Sequence, residues 1–317
     1  MKGRIIQMNT TDGPVMGIQG HLDYEKMMQY IGVLSERYDD LNVSYIGATI
    51  LDKAIPVLNL GNPRASKSIL YVGGVGGADG AVSAVLLRFV NEYFEFLKNG
   101  RRMYSVSLPY LFENRRICVV PMLNCDGCTI YRNGCGDSIL RDRLLGMNGS
   151  EDFSEWYANA RGVDLRRNFS AGFQVYKGEA AKKGVDIGGR EGYCGTSPES
   201  EPETASLCNY IRMHNGTSMM LHLHMDDNRL TIPTFEEAEA IVPRSRTLAR
   251  LLSHMSGTET ERKSKPDATP VDWYITEYCR PAFALGCKYP DTDGSSDDYI
   301  KIYALIREVL FSAPLLV

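Results

Sequence analysis

The sequence predicts an α/β protein, a single-domain α/β/α sandwich in which a mixed central sheet lies between helical layers. Two observations predict this class. Short apolar segments typical of buried strands alternate along the chain with longer segments whose apolar residues recur at helical spacing. No repeat, linker or low-complexity segment divides residues 1–317, so we expect one domain over that whole range.

The strand and helix signals follow one another along the chain. The predicted strands are 43–50, 55–60, 69–72, 116–122, 219–224 and 282–287. The predicted helices are 21–38, 82–97, 200–214, 234–255 and a last one that begins after Ser296. Residues 123–195 show no sustained period, which predicts a long surface excursion of the kind that carries functional sites.

Polar residues mark the start of two predicted helices. Ser200 is expected to cap the helix that begins there, with Glu203 at the capping-box distance. Ser296 is expected to cap the last helix, with Asp297 and Asp298 at the positive end of its dipole.

Composition narrows the function classes. The chain has 317 residues, 44% hydrophobic and 23% charged, which is ordinary for a globular protein. Its net charge of -4 argues against a nucleic-acid or anionic-membrane partner. No apolar run approaches the roughly 20 residues that span a bilayer, and the first residues lack the apolar core of a signal peptide. We therefore expect a cytoplasmic protein, with the oligomeric state left open.

The eight cysteines are scattered over a chain too long to need a disulfide framework, so we expect them to be reduced. Cys125 and Cys128 form a CxxC pair, with Cys135 nearby. A zinc site of this type needs a matching second pair of ligands, which the sequence lacks. A structural role is predicted for these thiols.

The stretch 68–88 joins a buried strand to a helix through a glycine-rich turn, the arrangement of a dinucleotide-binding site. The spacing fits that interpretation badly. Asp79 stands where the third glycine belongs, and residues 98–103 offer basic side chains where a ribose-binding carboxylate is needed. Nucleotide binding is therefore disfavoured.

Four blocks carry a family resemblance: YVGG at 71–74, PMLNCDG at 121–127, WYANARGVDLRRNFSAGF at 156–173 and SEPET at 200–204. In this order they resemble the zinc metallocarboxypeptidase family, nearest its γ-D-glutamyl-diaminopimelate peptidase branch, which has NPDG, WKAN, GVDLNRNF and SEPE. The resemblance extends from about Asp23 to the C-terminal helix. It implies one carboxypeptidase-like (phosphorylase/hydrolase-like) domain and a zinc ion held by three protein ligands, with a carboxylate base beside its water.

The first two zinc ligands of the family form an HxxE motif, which is replaced here. The matching tetrapeptide runs from Gly76 to Asp79, and glycine has no ligand atom. Asp79 keeps a shorter carboxylate but stands where a helix N-cap belongs, and we expect it to serve as that cap. His224 matches the family's third ligand, and His222 lies on the same face of the strand.

The resemblance therefore implies two zinc ligands at most from family positions, so zinc binding is predicted to be weak or absent. His222, Asp226 or Asp227 would have to complete a site with Asp79 and His224. The alternative left open is that both histidines are satisfied by hydrogen bonds in a site without metal.

The family's general base is also replaced. The segment 271–287 follows the family pattern without a gap and places Gly286 where the glutamate belongs. Glu277 falls in the loop before the strand in this register, so a structural or surface role is predicted for it. The family's loop tyrosine has no match.

The part of the site that binds the substrate's carboxylate is better preserved. Arg167 matches the arginine that holds this group in the family, and a guanidinium can bind a planar carboxylate through two parallel hydrogen bonds. Arg166 replaces an asparagine beside it. Tyr157 stands where the family has a cation that stabilises the oxyanion, and Arg161 is the expected substitute. Asp164 is predicted to pair with one of these arginines.

Two functions remain, and whether the chain is an enzyme is left open. The first is a catalytically degenerate family member that binds a peptide or amino-acid carboxylate through Arg167 and Arg166, because the first ligand, the base and the oxyanion cation are replaced together. The second is an active zinc-dependent carboxypeptidase or amidase on short cell-wall-type peptides, with a metal site rebuilt around His224, His222 and Asp79.

Overall fold

The computed structural model describes residues 20–136, 139–214, 217–288 and 298–317. The strands are β1 (Asn42–Ala48), β2 (Ala54–Gly61), β3 (Ser68–Val72), β4 (Arg102–Met103), β5 (Val106–Ser107), β6 (Arg116–Val120), β7 (Thr217–His224), β8 (Arg229–Pro233), β9 (Glu259–Lys263) and β10 (Ala282–Gly286). The helices are α1 (Tyr24–Arg37), α2 (Gly80–Lys98), α3 (Leu108–Asn114), α4 (Cys125–Asn133), α5 (Arg141–Asn148), α6 (Phe173–Lys182), α7 (Pro202–Met213), α8 (Val242–Ser256), α9 (Pro270–Tyr278) and α10 (Asp298–Ser312).

Eight strands form one mixed sheet in the order β1-β2-β6-β3-β7-β10-β8-β9. The four central strands β6, β3, β7 and β10 are parallel to one another. Antiparallel pairing joins β2 to β6 on one side and β8 to β10 on the other. The carboxyl ends of the parallel strands therefore meet at one edge, which is where open α/β sheets form their binding sites.

Helices cover both faces of the sheet, as the alternation along β3 illustrates. Ile69 and Tyr71 pack in a core with α1, α2, α8 and α10, whereas Leu70 and Val72 pack in a second core with α7 and α9. All five residues of β3 are buried, which agrees with its continuous apolar sequence. The predicted α/β class, with a mixed sheet between helical layers, is confirmed.

The prediction that residues 123–195 are mostly irregular is confirmed, although the short helices α4, α5 and α6 lie within this segment. Asn124 starts α4, since its side-chain oxygen accepts a hydrogen bond from the Gly127 N–H at 2.9 Å. In α5 only Leu144 is buried, so its sequence carries little apolar periodicity. Short helices with so few buried side chains escape detection by periodicity.

The predicted helix caps also need correction. Glu201, not Ser200, stands at the N-cap of α7, and the Ser200 hydroxyl donates to Glu201 Oε1 at 3.0 Å. The helix predicted at 234–255 begins as a 3₁₀ segment at 236–241 and becomes α-helical only at Val242, beside Pro243. The predicted caps Ser296 and Asp297 lie outside the described residues.

The structure also bears on the cysteines and on possible membrane-spanning helices. All eight cysteines are free thiols, and all but Cys279 are buried. In the described part of the chain, no helix combines the length and the apolar character that crossing a membrane requires.

A buried group of carboxylates joins the 123–195 segment to α7. Glu203 is fully buried, and its two oxygens accept hydrogen bonds from the Ile50 N–H at 3.4 Å and from Asn159 Nδ2 at 3.3 Å. Burial, and then the charges of Asp126 and Glu201, raise the pKa of Glu203 to about 7 from its ordinary value of 4.5. The folded chain therefore binds this proton more tightly than the unfolded chain does.

The contribution of Glu203 to stability is thus fully present below the unfolded pKa and is lost as the pH rises through about 7. We expect Glu203→Gln to remove that loss. From pH 5 to pH 8, the unfolding free energy of the variant should therefore rise by about 2–3 kcal/mol relative to that of the wild type. Denaturant unfolding of both proteins at pH 5 and at pH 8 measures this change. Glu179→Gln, an exposed control, should leave the difference unchanged; equal pH profiles for the wild type and Glu203→Gln would contradict the prediction.

Candidate functional site

A cavity of about 370 Å³ opens at the carboxyl ends of the central strands. His222 and His224, at the end of β7, lie beside Ala284 and Gly286 of β10 in the sheet register. Arg166 and Arg167 line the same cavity from a 3₁₀ turn in the 123–195 segment. The structure therefore brings together the segments that carry His222, His224, Arg166 and Arg167.

The two histidines lie side by side, as predicted from their spacing. Their ring centroids are 5.4 Å apart, and both side chains are nearly buried. Burial lowers the pKa of His222 to about 3, so its ring is neutral, and its Nε2 atom has no hydrogen-bond partner among the described residues. Nδ1 of His224 lies 3.5 Å from Asp226 Oδ2. Burial opposes the charged ring of His224, but the contact with Asp226 outweighs burial and raises its pKa.

Asp79 does not cap α2 with its side chain, which corrects the prediction. It stands at the N-cap position, but Oδ2 accepts from the Gly76 N–H at 2.8 Å and Oδ1 from the Met225 N–H at 2.9 Å. The carboxylate therefore joins the turn before α2 to the end of β7. Burial, and then the charge of Asp226, raise the pKa of Asp79 to about 6.

Gly76 lies directly against Arg166. A Cβ atom added at Gly76 would be 3.3 Å from Asp79 Oδ2, 3.4 Å from Arg166 Cδ and 3.6 Å from Arg166 Nε. The arginine side chain thus fills the space beside Gly76, the residue that the resemblance matches to the family's first zinc ligand. Gly76 and Arg166, which replace two different family residues far apart in the sequence, are therefore neighbours in the fold.

The guanidinium of Arg166 is held by three carboxylates. Nε and Nη2 donate to the two oxygens of Asp164 at 2.9 and 2.8 Å, which confirms the predicted pairing of Asp164. Nη1 donates to Asp226 at 2.6 Å, and Nη2 also donates to Glu191 at 3.0 Å. The guanidinium also stacks over the Tyr157 ring, 4.7 Å from its centroid. Most of its N–H donors are therefore committed inside the protein.

These residues do not fit a three-ligand zinc site of the family type. Gly76 offers no donor atom, both Asp79 oxygens accept backbone hydrogen bonds, and a guanidinium carries its positive charge beside them. Within the described residues, no three His, Cys, Asp or Glu side chains come together as a group that could hold a metal ion. The weak or absent zinc binding predicted from the sequence remains a prediction for measurement.

Gly286, which the family resemblance places at the general-base position, has no room for a side chain. A Cβ atom added at Gly286 would lie 2.2 Å from Asp227 Oδ1 and 2.4 Å from the Asp227 backbone oxygen. The Asp227 turn is fixed in place, because its side chain accepts from the Arg229 N–H at 2.9 Å and its backbone oxygen accepts from the Lys288 N–H at 2.7 Å. Glu277 is exposed near the end of α9, not in a loop as expected, so it keeps the predicted surface role.

Arg167 differs from Arg166 because two nitrogen atoms of its guanidinium form no hydrogen bond within the described part of the chain. Nη1 donates to the side chain of Asp267 and to its backbone oxygen, whereas Nε and Nη2 have no hydrogen-bond partner in the described part of the chain. The side chain is 30% exposed and stacks over Tyr176. Lys263 forms ion pairs with Asp267 and with the buried Asp272.

Arg161 lies apart from this cavity. Its Nη1 atom is 3.7 Å from Glu201 Oε2, and both residues line a separate hollow with Ser200 and Tyr193. The cation nearest Tyr157 is Arg166 instead.

Sequence reasoning missed Asp267 and Lys263. Thr269 and Asp272 form a capping box at the start of α9, a signal that was readable in the sequence. No such signal marks Lys263 or Asp267, because Asp267 reaches Arg167 and Lys263 only through the path of the loop between β9 and α9.

Solved structures give the class of fold. Bovine thrombin-activatable fibrinolysis inhibitor, in complex with tick carboxypeptidase inhibitor, superposes with a TM-score of 0.70 at 17% identity over 93% of this chain and 96% of that one. Murein-tripeptide amidase MpaA from Escherichia coli O157 gives a TM-score of 0.52 at 19% identity, over 85% and 91% of the two chains. The fold is therefore that of the carboxypeptidases.

The family follows from the sequence comparison. The zinc carboxypeptidase model, Peptidase_M14, matches residues 27–310, and the chain belongs to this family. A curated relative, γ-D-glutamyl-L-diamino acid endopeptidase 1 of Lysinibacillus sphaericus, is 30% identical over 84% of this chain. The chain spans 65% of that relative's length, slightly less than two thirds.

Proposed function

We propose that this chain binds a peptide or amino-acid ligand by its free carboxylate at Arg167, in a family site that has lost zinc-dependent hydrolysis. The observation that carries the proposal is the contrast between neighbouring arginines. Arg166 is committed to internal carboxylates beside Gly76, whereas Arg167 keeps Nε and Nη2 without a partner in the described chain and lines the cavity. A planar carboxylate matches such a fork.

The cavity around Arg167 carries charges of both signs. Arg262 and Lys263 line it, and so do five carboxylates, those of Asp226, Asp227, Glu261, Asp267 and Asp272, so anion binding depends on the free hydrogen-bond donors of Arg167 itself. Asp267 already places one carboxylate against Arg167 and Lys263. A ligand carboxylate would therefore share or replace the position of Asp267 on the guanidinium. Relatives that cleave peptides make a peptide C-terminus the first ligand class to test.

The test compares short N-acetylated alanine peptides that differ only in a free or amidated C-terminus. We expect the free carboxylate to raise the apparent melting temperature and the amide to leave it unchanged, since ligands of the native state stabilise it. Arg167→Gln should weaken binding, measured by calorimetry, by about 10- to 100-fold, the loss of a charge-assisted hydrogen-bond pair. Asp267→Asn should strengthen binding, because it removes the competing internal carboxylate.

Arg161→Gln is the matched control, since Arg161 lies outside the cavity. Equal affinity for acid and amide, or equal affinity of the wild type and Arg167→Gln, would contradict the proposal. Loss of binding in Arg161→Gln would restore the role that the sequence predicts for that residue.

A second candidate is an active hydrolase with a rebuilt metal site. The observation in its favour is the pair His222 and His224 at the cavity wall, with one His222 ring nitrogen unpartnered in the described chain. Metal analysis of protein purified without chelator distinguishes the two. Stoichiometric zinc and peptide hydrolysis, both lost in His222→Ala and Asp79→Ala, would favour this candidate. The single domain and cytoplasmic location predicted from the sequence accompany both candidates as proposals.

A further inference from the structure

We infer that a second cavity, at the other end of the sheet, binds a small organic anion with an aromatic or apolar body. This cavity has a volume of about 900 Å³ and lies beside β1, β2, the start of β6 and the end of α7. It shares no lining residue with the first cavity. Its size is typical of small-molecule sites, which range over roughly 300–1,000 Å³.

Arg116, at the start of β6, supplies the charge. Its Nη2 atom donates to the Tyr210 hydroxyl at 3.2 Å and to Asn59 Oδ1 at 3.4 Å. Its Nε atom is buried and has no hydrogen-bond partner in the described chain. Asp40 and Glu113 also line the cavity, but neither forms an ion pair with Arg116. The guanidinium therefore faces a cavity without a carboxylate partner among the described residues.

Neutral groups hold this cation in place. Asn59 Oδ1 also accepts from the Tyr210 hydroxyl at 3.4 Å and from Cys118 Sγ at 3.5 Å, and Asn59 Nδ2 donates to Ser44 Oγ at 3.1 Å. The network orients Arg116 without forming an ion pair with it. A surface arginine without an ion pair is usually free to move in water, whereas this one is fixed beside a cavity, as a receptor for an anion requires.

The remaining wall is aromatic and apolar. The rings of Tyr210 and His214 have centroids 4.4 Å apart and are tilted by 41° to one another, and Phe112 also lines the cavity. Tyr45 and Met213 are exposed at the rim, at 56% and 75%. An inorganic anion would leave this wall uncovered. A flat organic body would cover it while its anionic group meets Arg116.

We test the inference with 2-naphthoate and its uncharged analogue 2-naphthamide, measured by calorimetry. The measurements use the Arg167→Gln background, so that binding at the first cavity does not contribute. We expect 2-naphthoate to bind once per chain, and about tenfold or more tightly than 2-naphthamide, because only the acid forms charge-assisted hydrogen bonds. Arg116→Gln should remove this preference.

Arg115→Gln is the control, since the Arg115 side chain donates to the Pro314 backbone oxygen at 2.9 Å and does not line the cavity. Absence of 2-naphthoate binding, equal binding of acid and amide, or an unchanged preference in folded Arg116→Gln would overturn the inference. If Arg116→Gln does not fold, the comparison of acid with amide on the parent protein decides. Failure here leaves carboxylate binding at Arg167 untouched, because the two cavities share no residue.

Discussion

Replacing Arg166 with methionine is expected to lower the free energy of unfolding by about 3–5 kcal/mol, the effect of removing one partner of a buried ion pair. Asp164 is almost completely buried and accepts two of its hydrogen bonds from this guanidinium. Burial opposes the charged form of Asp164, but Arg166 outweighs burial and lowers its pKa. Without the arginine, the carboxylate keeps the N–H donors of residue 166 and Gly192 but loses its counter-ion.

Denaturant unfolding at neutral pH measures the loss. Arg190→Met is the matched control, because Arg190 pairs with Glu155 while their side chains are 56% and 67% exposed. Exposed pairs contribute about 1 kcal/mol or less, so this variant should be nearly as stable as the wild type. A similarly small change in Arg166→Met would contradict the assignment of Arg166 as the centre of a buried structural network.

The family motifs explain how much could be predicted. Strands such as β3, which are buried on both faces, can be recognised from their continuous apolar sequence. The family resemblance placed His224 and Gly286 in one site, and the observed register of β7 against β10 sets them side by side. Substitutions at single family positions, such as Gly76 and Arg166, were equally readable one at a time.

The contacts between those positions could not be predicted from the sequence. Arg166 and Gly76 are 90 residues apart in sequence, and only the folded path of the 123–195 segment brings the guanidinium against the glycine. Asp227 closes the space at Gly286 through a turn whose shape no single-residue pattern encodes. Asp79 was expected to cap its own helix, but the N–H of Met225, directly after β7, donates to the same carboxylate. Tertiary partners of this kind override a local preference.

The contact between Gly76 and Arg166 leads to the second large effect. The double variant Gly76→His with Asp79→Glu restores both family ligand types at this turn, yet we expect it to gain no zinc affinity, because the Arg166 guanidinium remains beside the restored ligands. Adding Arg166→Asn removes that charge and gives residue 166 its family identity. We expect only the triple variant to be stabilised by zinc, by about 2.7 kcal/mol when the free metal is at roughly 100 times its dissociation constant.

Thermal unfolding in the presence of zinc or of a chelator measures how much zinc stabilises the double and the triple variant. If the triple variant folds only with zinc, the metal dependence of folding is itself the expected signal, because binding and folding are then one equilibrium. Zinc binding by the double variant would contradict the role assigned to Arg166, and its absence from both variants would contradict the reconstruction. Neither variant should hydrolyse peptides. Gly286 supplies no base, and a larger side chain there would collide with the Asp227 turn, so recovery of catalysis requires that turn to be rebuilt as well.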